Sequence, residues 1–341
     1  MNENIQVRDF TGSPGDWDAR IAKFGGSLFH TSTWLSILAS NETGKVRRLE
    51  LCADDTPIGV VPVVVRRLFP LTIAASPLVV ESTPQLGVVC AREHLAPAIG
   101  AVTKFLRSEG VHFVRLLQRE QLAQDVHVSG CELVTKHTHV LDLQQSLDLI
   151  WTRMEGRCRT AIRKAQKSGV VVEVANSEVD LAAYHDIYSR VYLEQGMQVP
   201  VSLGLHYAIW RSLPDSSRIL LVARSNSQII AGALLIVDGH KVLYWGGGSL
   251  STFNSLNPNS LIQWEAIKQS MDRGALRYDF VGSDIERLAK FKQSFGGSVQ
   301  TYTLVEYSSA PWVRTIRRHY PLVKQRLMRL ANRVNEPSSD R

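Results

Sequence analysis

The sequence predicts an α/β protein built from two copies of one unit, and three observations carry that expectation. A helix, a glycine stop and a strand follow one another at residues 95–107, Gly110 and 111–117, and again at 260–273, Gly274 and 275–281. Each of these is preceded by two apolar runs joined by a tight turn, Asp54-Asp55-Thr56-Pro57 in the first half and Ser225-Asn226-Ser227 in the second. The length, 341 residues, suits two domains better than one.

In order along the chain, a helix is expected over 33–39, capped by Thr31 or Ser32, then strands at 46–52 and 58–65. A loop rich in proline and glycine (Pro77, Pro84, Gly87) leads to the helix at 95–107 and the strands at 111–117 and 132–143. A long helical stretch over 144–168 opens the second domain. Helices at 181–195 and 204–213 follow, then strands at 218–223, 229–237 and 241–247, the helix at 260–273 and the strand at 275–281. The expected division is residues 1–145, 146–308 and a basic amphipathic helical tail at 309–341.

Composition narrows the class. With 44% hydrophobic and 21% charged residues the chain can bury a core, which argues against extended disorder. The longest apolar run, 58–65, is far below the roughly 18 to 20 residues a membrane-spanning helix needs. The start, Met1-Asn2-Glu3-Asn4, lacks the basic and apolar segments of a secretory signal, so a cytoplasmic protein is expected. Cys52, Cys90, Cys131 and Cys158 are widely spaced and read as reduced thiols, and His137-x-His139 brings no third ligand with it, so neither a disulfide frame nor a metal site is expected. The net charge is +7. Seven basic residues and no acid fall between Tyr307 and Asn335, which accounts for the whole excess; Arg153, Arg157, Arg159, Arg163, Lys164 and Lys167 form a second cluster. The tail carries apolar residues at helical spacing and either packs on the protein's own core or touches a membrane surface or nucleic acid.

Three segments could hold chemistry. Tyr244-Trp245-Gly246-Gly247-Gly248-Ser249 leads into Asn257-Pro258-Asn259-Ser260 at a helix start. Such an arrangement either binds an anion on free amides and the helix dipole, or is a strand bulge followed by an ordinary cap. No P-loop or dinucleotide fingerprint is present. Tyr278-Asp279-Phe280-Val281-Gly282, followed by Phe291-Lys292-Gln293-Ser294-Phe295-Gly296-Gly297, ends a strand in a carboxylate and sets a cation on a short helix behind it. Lys292 there either stabilises an oxyanion or faces water beside a buried Phe291/Phe295 stripe. Arg163 and Lys164, in the basic helix, are of the type that grips phosphates.

Those residues carry a resemblance. The chain resembles the Fem-type peptidyltransferases and related acyltransferases, whose fold is two tandem GNAT-like domains. The likeness rests on Leu28-Phe29-His30-Thr31-Ser32-Thr33-Trp34-Leu35, on Arg159-x3-Arg163-Lys164-Ala165-Gln166-Lys167-Ser168-Gly169-Val170, and above all on Tyr278-Asp279-Phe280-x-Gly282 with Phe291-Lys292-x2-Phe295-Gly296-Gly297. It implies that Lys292 stabilises negative charge on the acyl carbonyl and that Phe291 shapes the acyl tunnel. Tyr244 and Asp279 would line the acceptor side, and Asp279 would orient the amine, accept its proton, or only tie down the loop after it. Asn257, Asn259 and Ser260, with Arg163 and Lys164, would contact phosphates.

The departures from the family bear on the substrates. No coiled-coil arm is inserted, no basic residue or Gly-Phe pair stands in the stretch 194–200, and the pyrophosphate loop of acetyl-CoA-dependent GNAT enzymes is missing. The resemblance therefore implies a cytoplasmic N-acyltransferase with no resident cofactor, taking acyl-CoA or aminoacyl-tRNA as donor and a small-molecule or lipid-linked precursor of peptidoglycan or polysaccharide as acceptor. The competing reading is an inactive GNAT duplicate that acts as a scaffold in envelope assembly, held at a membrane by its basic tail.

Overall fold

The computed structural model describes residues 5–41, 44–118, 122 and 127–316. The first half contains β1 (Ile5–Asp9), α1 (Pro14–Phe24), α2 (Ser32–Asn41), β2 (Lys45–Ala53), β3 (Thr56–Leu68), β4 (Leu71–Ser76), β5 (Val89–Cys90), α3 (Leu95–Ser108), β6 (Phe113–Gln118) and β7 (Cys131–Asp142). The second contains α4 (Leu147–Arg153), α5 (Gly156–Lys167), β8 (Val171–Ala175), α6 (Glu178–Leu193), α7 (Leu203–Ser212), β9 (Arg218–Ser225), β10 (Gln228–Asp238), β11 (Lys241–Ser249), α8 (Pro258–Asp272), β12 (Arg277–Asp279), α9 (Glu286–Gln293) and β13 (Ser298–Ser308).

All the strands join one sheet, in the order β1-β2-β3-β4-β6-β13-β7-β12-β11-β10-β9-β8, with β5 attached to β3. Read inward from its two ends, the sheet repeats itself. Each arm is a run of antiparallel strands, then one parallel pair (β4 with β6, β11 with β12) bridged by a helix (α3, α8). A parallel pair needs such a crossover, whereas antiparallel neighbours join through short turns. The α/β expectation of two tandem GNAT-like units is therefore met in the topology. Each arm is completed by the other half's strand: β13 pairs with β6, and β7 pairs with β12. The two exchanged strands then pair with each other from Ser298↔Val140 to Tyr307↔Cys131. The sheet thus runs unbroken across the 145/146 position, which falls between β7 and α4.

Alternation along the strands sorts side chains between two faces. Leu220, Val222, Leu234, Ile236, Leu243 and Trp245 meet α6 and α7, and the same core takes Trp17 and Ile21 of α1 and Trp34, Leu35 and Leu38 of α2. The two halves therefore share one core. Trp245 Nε1 donates to Ser82 O at 2.9 Å, and Leu28 N donates to Asp238 Oδ1 at 2.8 Å, so buried polar groups also bond across the halves. The opposite face of the second arm, with Leu221, Ala233, Leu235 and Val242, is covered by α4, α5 and α8. In the first arm α3 covers Leu49, Val61, Val63, Val114 and Leu116.

Several expectations need correction. The 144–168 stretch is two helices, broken at Met154 and Glu155, where Glu155 N donates to Ser294 O at 2.9 Å instead of continuing the helix. The strand expected at 275–281 is only three residues long, and β1, α1, β4, β8 and β13 were not anticipated. The four cysteines are free thiols, and no His/Cys/Asp/Glu cluster among the described residues could hold a metal. Most of the tail, 317–341, lies outside the described residues.

Because neither arm is complete without the other's strand, a fragment ending at residue 145 leaves β6 without its β13 partner and β12 without β7. Expressed alone, residues 1–145 and 146–341 are each expected to lack a cooperative melting transition, and co-expression to restore a soluble complex that melts as one unit. Independent cooperative melting of either fragment, followed by circular dichroism, would contradict the exchange.

Candidate active site

The site grows from the fork between β11 and β12. The two strands pair in parallel only at Lys241↔Arg277, Val242↔Tyr278 and Leu243↔Asp279; β12 then stops, while β11 runs on to Ser249. Alternation sends Tyr278 and Phe280 into the helix-covered core, where Tyr278 Oη donates to Gln263 Oε1 at 2.8 Å and Phe280 packs on Phe295. Asp279 faces the other way.

Asp279 is 4% exposed, and both of its oxygens are occupied. Oδ1 accepts from Thr138 Oγ1 at 2.6 Å and from Val281 N at 2.9 Å, and Oδ2 pairs with Lys241 Nζ at 2.6 Å. Both carboxylate oxygens are thus committed to partners within the fold. Val281 has φ +50, a conformation that costs a β-branched residue about 1–3 kcal/mol. It is held on both sides: its N–H by Asp279, and its C=O by Lys292 Nζ at 2.5 Å. Lys292 Nζ also donates to Gly282 O.

Lys292 is buried, and Lys290 on the same helix is paired with Glu286 in solvent. The alternative in which both lysines face water is thereby removed. Burial lowers the Lys292 ammonium to a pKa of about 8, against the attraction of Asp279 and Asp284. His139 lies nearby, its Nδ1 2.7 Å from Ser283 Oγ, and burial, with the Lys292 charge, lowers its pKa as well. Phe291 is half-buried and meets Phe295 edge to face.

The fork opens on a small solvent-connected cleft lined by Lys241, Asp279 and Gly282 from one half, Gln85 and Gln118 from the other, and Tyr302 of the exchanged strand. Of the residues selected from sequence, Asp279 lines this cleft. Lys292 and Phe291 are not among the lining residues, but Lys292 holds the carbonyls of Val281 and Gly282, which are.

The glycine run is not a loop. Gly246, Gly247 and Gly248 belong to β11, beside a bulge in its pairing with β10 at Leu234/Leu235. A Cβ at Gly247 would strike Tyr244 Oη, one at Gly246 would crowd Tyr184 Oη and Tyr188, and one at Gly248 would lie 2.6 Å from Val191 Cγ2. The glycines admit aromatic and branched side chains beside that bulge. Tyr244 lies over Gly247, and burial raises its hydroxyl pKa. Asn257 occupies the N-cap of α8 at φ +55 without capping it through its side chain. Asn259 Nδ2 donates to Ser249 Oγ at 2.8 Å, which donates in turn to Asn254 Oδ1, tying the end of β11 to the helix start; Ser260 is buried there. Arg163 stacks over Trp151, itself against Trp264 of α8, and Lys164 is exposed on the same helix. These residues surround α8 and are not among those lining the cleft. Lys241, Thr138, Gln85, Gln118 and Tyr302 were missed; only strand register brings them to Asp279.

Residues 152–293 match the family model described as an acetyltransferase (GNAT) domain, an interval that includes Lys292. The fold matches the crystal structure of FemX with a TM-score of 0.67 at 16% identity, over 91% of this chain and 99% of that one. The fold is Fem-like, with a GNAT domain match over residues 152–293. A tandem GNAT protein from the clavulanic acid pathway shares the Fem-type fold less closely, with a TM-score of 0.55 at 10% identity over 90% of this chain and 99% of that one. The lipid II:glycine glycyltransferase of Staphylococcus haemolyticus (strain JCSC1435) is 36% identical over 70 residues, 20% of this chain and 17% of that protein. The aligned segment thus spans about a sixth of that relative's length.

The Lys292 shift has a definite sign. The folded pKa, about 8, lies below the ordinary 10.5, so between these values the unfolded chain binds the extra proton and stability rises with pH. Relative to Lys292→Met, the wild type should gain about 3 kcal/mol across that window, read by urea unfolding at stepped pH. Parallel curves would put the Lys292 pKa back at its ordinary value.

Proposed function

We propose that the chain transfers an aminoacyl or acyl group from an activated donor, aminoacyl-tRNA or acyl-CoA, to an amine on a lipid-linked cell-envelope precursor. The observation that carries this reading is the buried Lys292 ammonium at the fork, held beside the cleft by two backbone carbonyls. An ammonium has three N–H bonds, so two are committed to those carbonyls and the third is left for a developing oxyanion. The glycyltransferase relative favours an aminoacyl donor.

In the reaction, the acceptor nitrogen attacks the carbonyl carbon of the ester or thioester. The new C–N bond forms as the C–O or C–S bond breaks, the departing hydroxyl or thiol takes up a proton, and the amine loses one. Asp279, saturated by Thr138, Val281 and Lys241, acts by fixing the loop that aligns Lys292. Lys241, paired to it, presents positive charge at the cleft wall. Phe291 borders the acyl group. Tyr244 borders the acceptor side of the fork. The donor's phosphates would lie at the start of α8, at Asn257, Asn259 and Ser260, with Arg163 and Lys164 adding charge.

The test is turnover of the purified protein with a panel of charged tRNAs and acyl-CoAs and a lipid-linked muropeptide acceptor. Lys292→Ala should lower kcat by about 10²- to 10³-fold with little change in KM. If the protonated lysine is the working form, kcat should also fall above pH 8 in the wild type. A folded Lys292→Ala protein with full turnover would sink the assignment.

A further inference from the structure

One rim of the sheet carries apolar side chains that remain exposed among the described residues. The β3–β4 hairpin closes at Leu68↔Leu71, and Phe69 at its tip is 89% exposed. Thr72, just after the tip, accepts from His112 N at 2.8 Å, and His112 O accepts from Ser309 N at 2.8 Å. These two bonds place the end of β13 and the helical turn at 311–316 beside the hairpin. That turn docks through Val313, which is buried, and leaves Trp312 (49%) and Ile316 (46%) exposed four residues apart, on one face.

The same rim is basic. Arg66 and Arg67 flank the tip and have no ion-pair partner among the described residues, and Lys45 opens β2 opposite Val65. Its acids are already engaged: Glu109 pairs with Arg47, and Glu132 with Arg314 at 3.7 Å. Beyond the described residues the sequence continues with Arg317, Arg318, Lys324, Arg326, Arg329 and Arg333. No described helix is long and apolar enough to cross a bilayer. An aromatic tip, a second exposed aromatic and surrounding arginines are what a bilayer interface with anionic headgroups takes up, the rings at headgroup depth and the cations against the lipid charge.

We propose that this rim, formed by Phe69, Trp312 and Ile316 with Arg66 and Arg67, docks the protein on an anionic membrane surface. The inference does not depend on the proposed reaction. Nucleic acid would account for the arginines and for rings that stack on bases, but not for the exposed aliphatic Ile316 beside Trp312.

The test is flotation of the full chain with phosphatidylcholine vesicles, plain or containing about 30% phosphatidylglycerol. Binding is expected to the anionic vesicles alone, weakened by salt, and reduced about 10-fold both by Phe69→Glu with Trp312→Glu and by Arg66→Glu with Arg67→Glu. Unchanged melting temperatures would show that the exposed substitutions leave the fold intact. With brominated lipid, wild-type tryptophan fluorescence should be quenched and that of Trp312→Phe spared. Absence of binding to anionic vesicles would overturn the proposal. So would binding that survives the Phe69/Trp312 variant, quenching that survives Trp312→Phe, or loss in these variants of only self-association or tRNA binding.

Discussion

The structure depends on the exchange of β7 and β13 between the two halves. β12 has three residues, too few to hold a place in a sheet by themselves, and its antiparallel pairing with β7 fixes where Asp279 lies. The register Asp279↔Val140 brings Thr138 of the first half within 2.6 Å of the carboxylate of the second. β13, lying between β6 and β7, carries Tyr302 into the cleft wall. Without the exchange, the cleft would lose Thr138 and Tyr302 from its lining.

The exchange in turn allows charge to be buried at the fork. A buried ion costs several kcal/mol unless paired and hydrogen-bonded. Asp279 meets that cost with one cation and two further donors. Lys292 makes its hydrogen bonds to backbone carbonyls only, and burial lowers its pKa. The two side chains close on one strained peptide from opposite sides, Asp279 at the Val281 N–H and Lys292 at its C=O. The strain at Val281 is therefore tolerated because two buried charges over-determine it, and strain of that kind is concentrated at working sites.

Much of this was legible in the sequence, for identifiable reasons. The helix, glycine and strand units at Gly110 and Gly274 are local signals, and both glycines adopt the positive φ that ends a helix. The hairpins were legible in the same way. Asp279 and Lys292 were found because a strand-end carboxylate and a lysine beside paired phenylalanines are visible in one segment. β13 was not, because its sequence, Ser298 to Ser308, is only partly apolar and its partners are strands far away in the chain. Lys241 and Thr138 were illegible for the same reason, since register between distant strands has no local signature. The Gly246–Gly248 run is ambiguous in the sequence because small residues serve equally to approach a phosphate and to admit a ring; the crowding of Tyr184, Tyr188 and Tyr244, two of which come from α6, is visible only in the fold.

The basic rim and the cleft lie toward opposite ends of the same strands. β13 lines the cleft at Tyr302 and reaches the rim at Ser308, six residues on, and β6 runs from the rim at Phe113 to the cleft at Gln118. At about 3.3 Å per residue the separation is roughly 20 Å. With its strands upright on the bilayer, a protein docked by Phe69 and Trp312 would hold its cleft about that far above the headgroups. Such a cleft is out of reach of a phospholipid's own headgroup. It suits an acceptor whose amine stands well away from its lipid, as in a precursor that carries sugars and peptide on a lipid phosphate. If both proposals hold, the length of β13 sets the height at which an acceptor amine would be met.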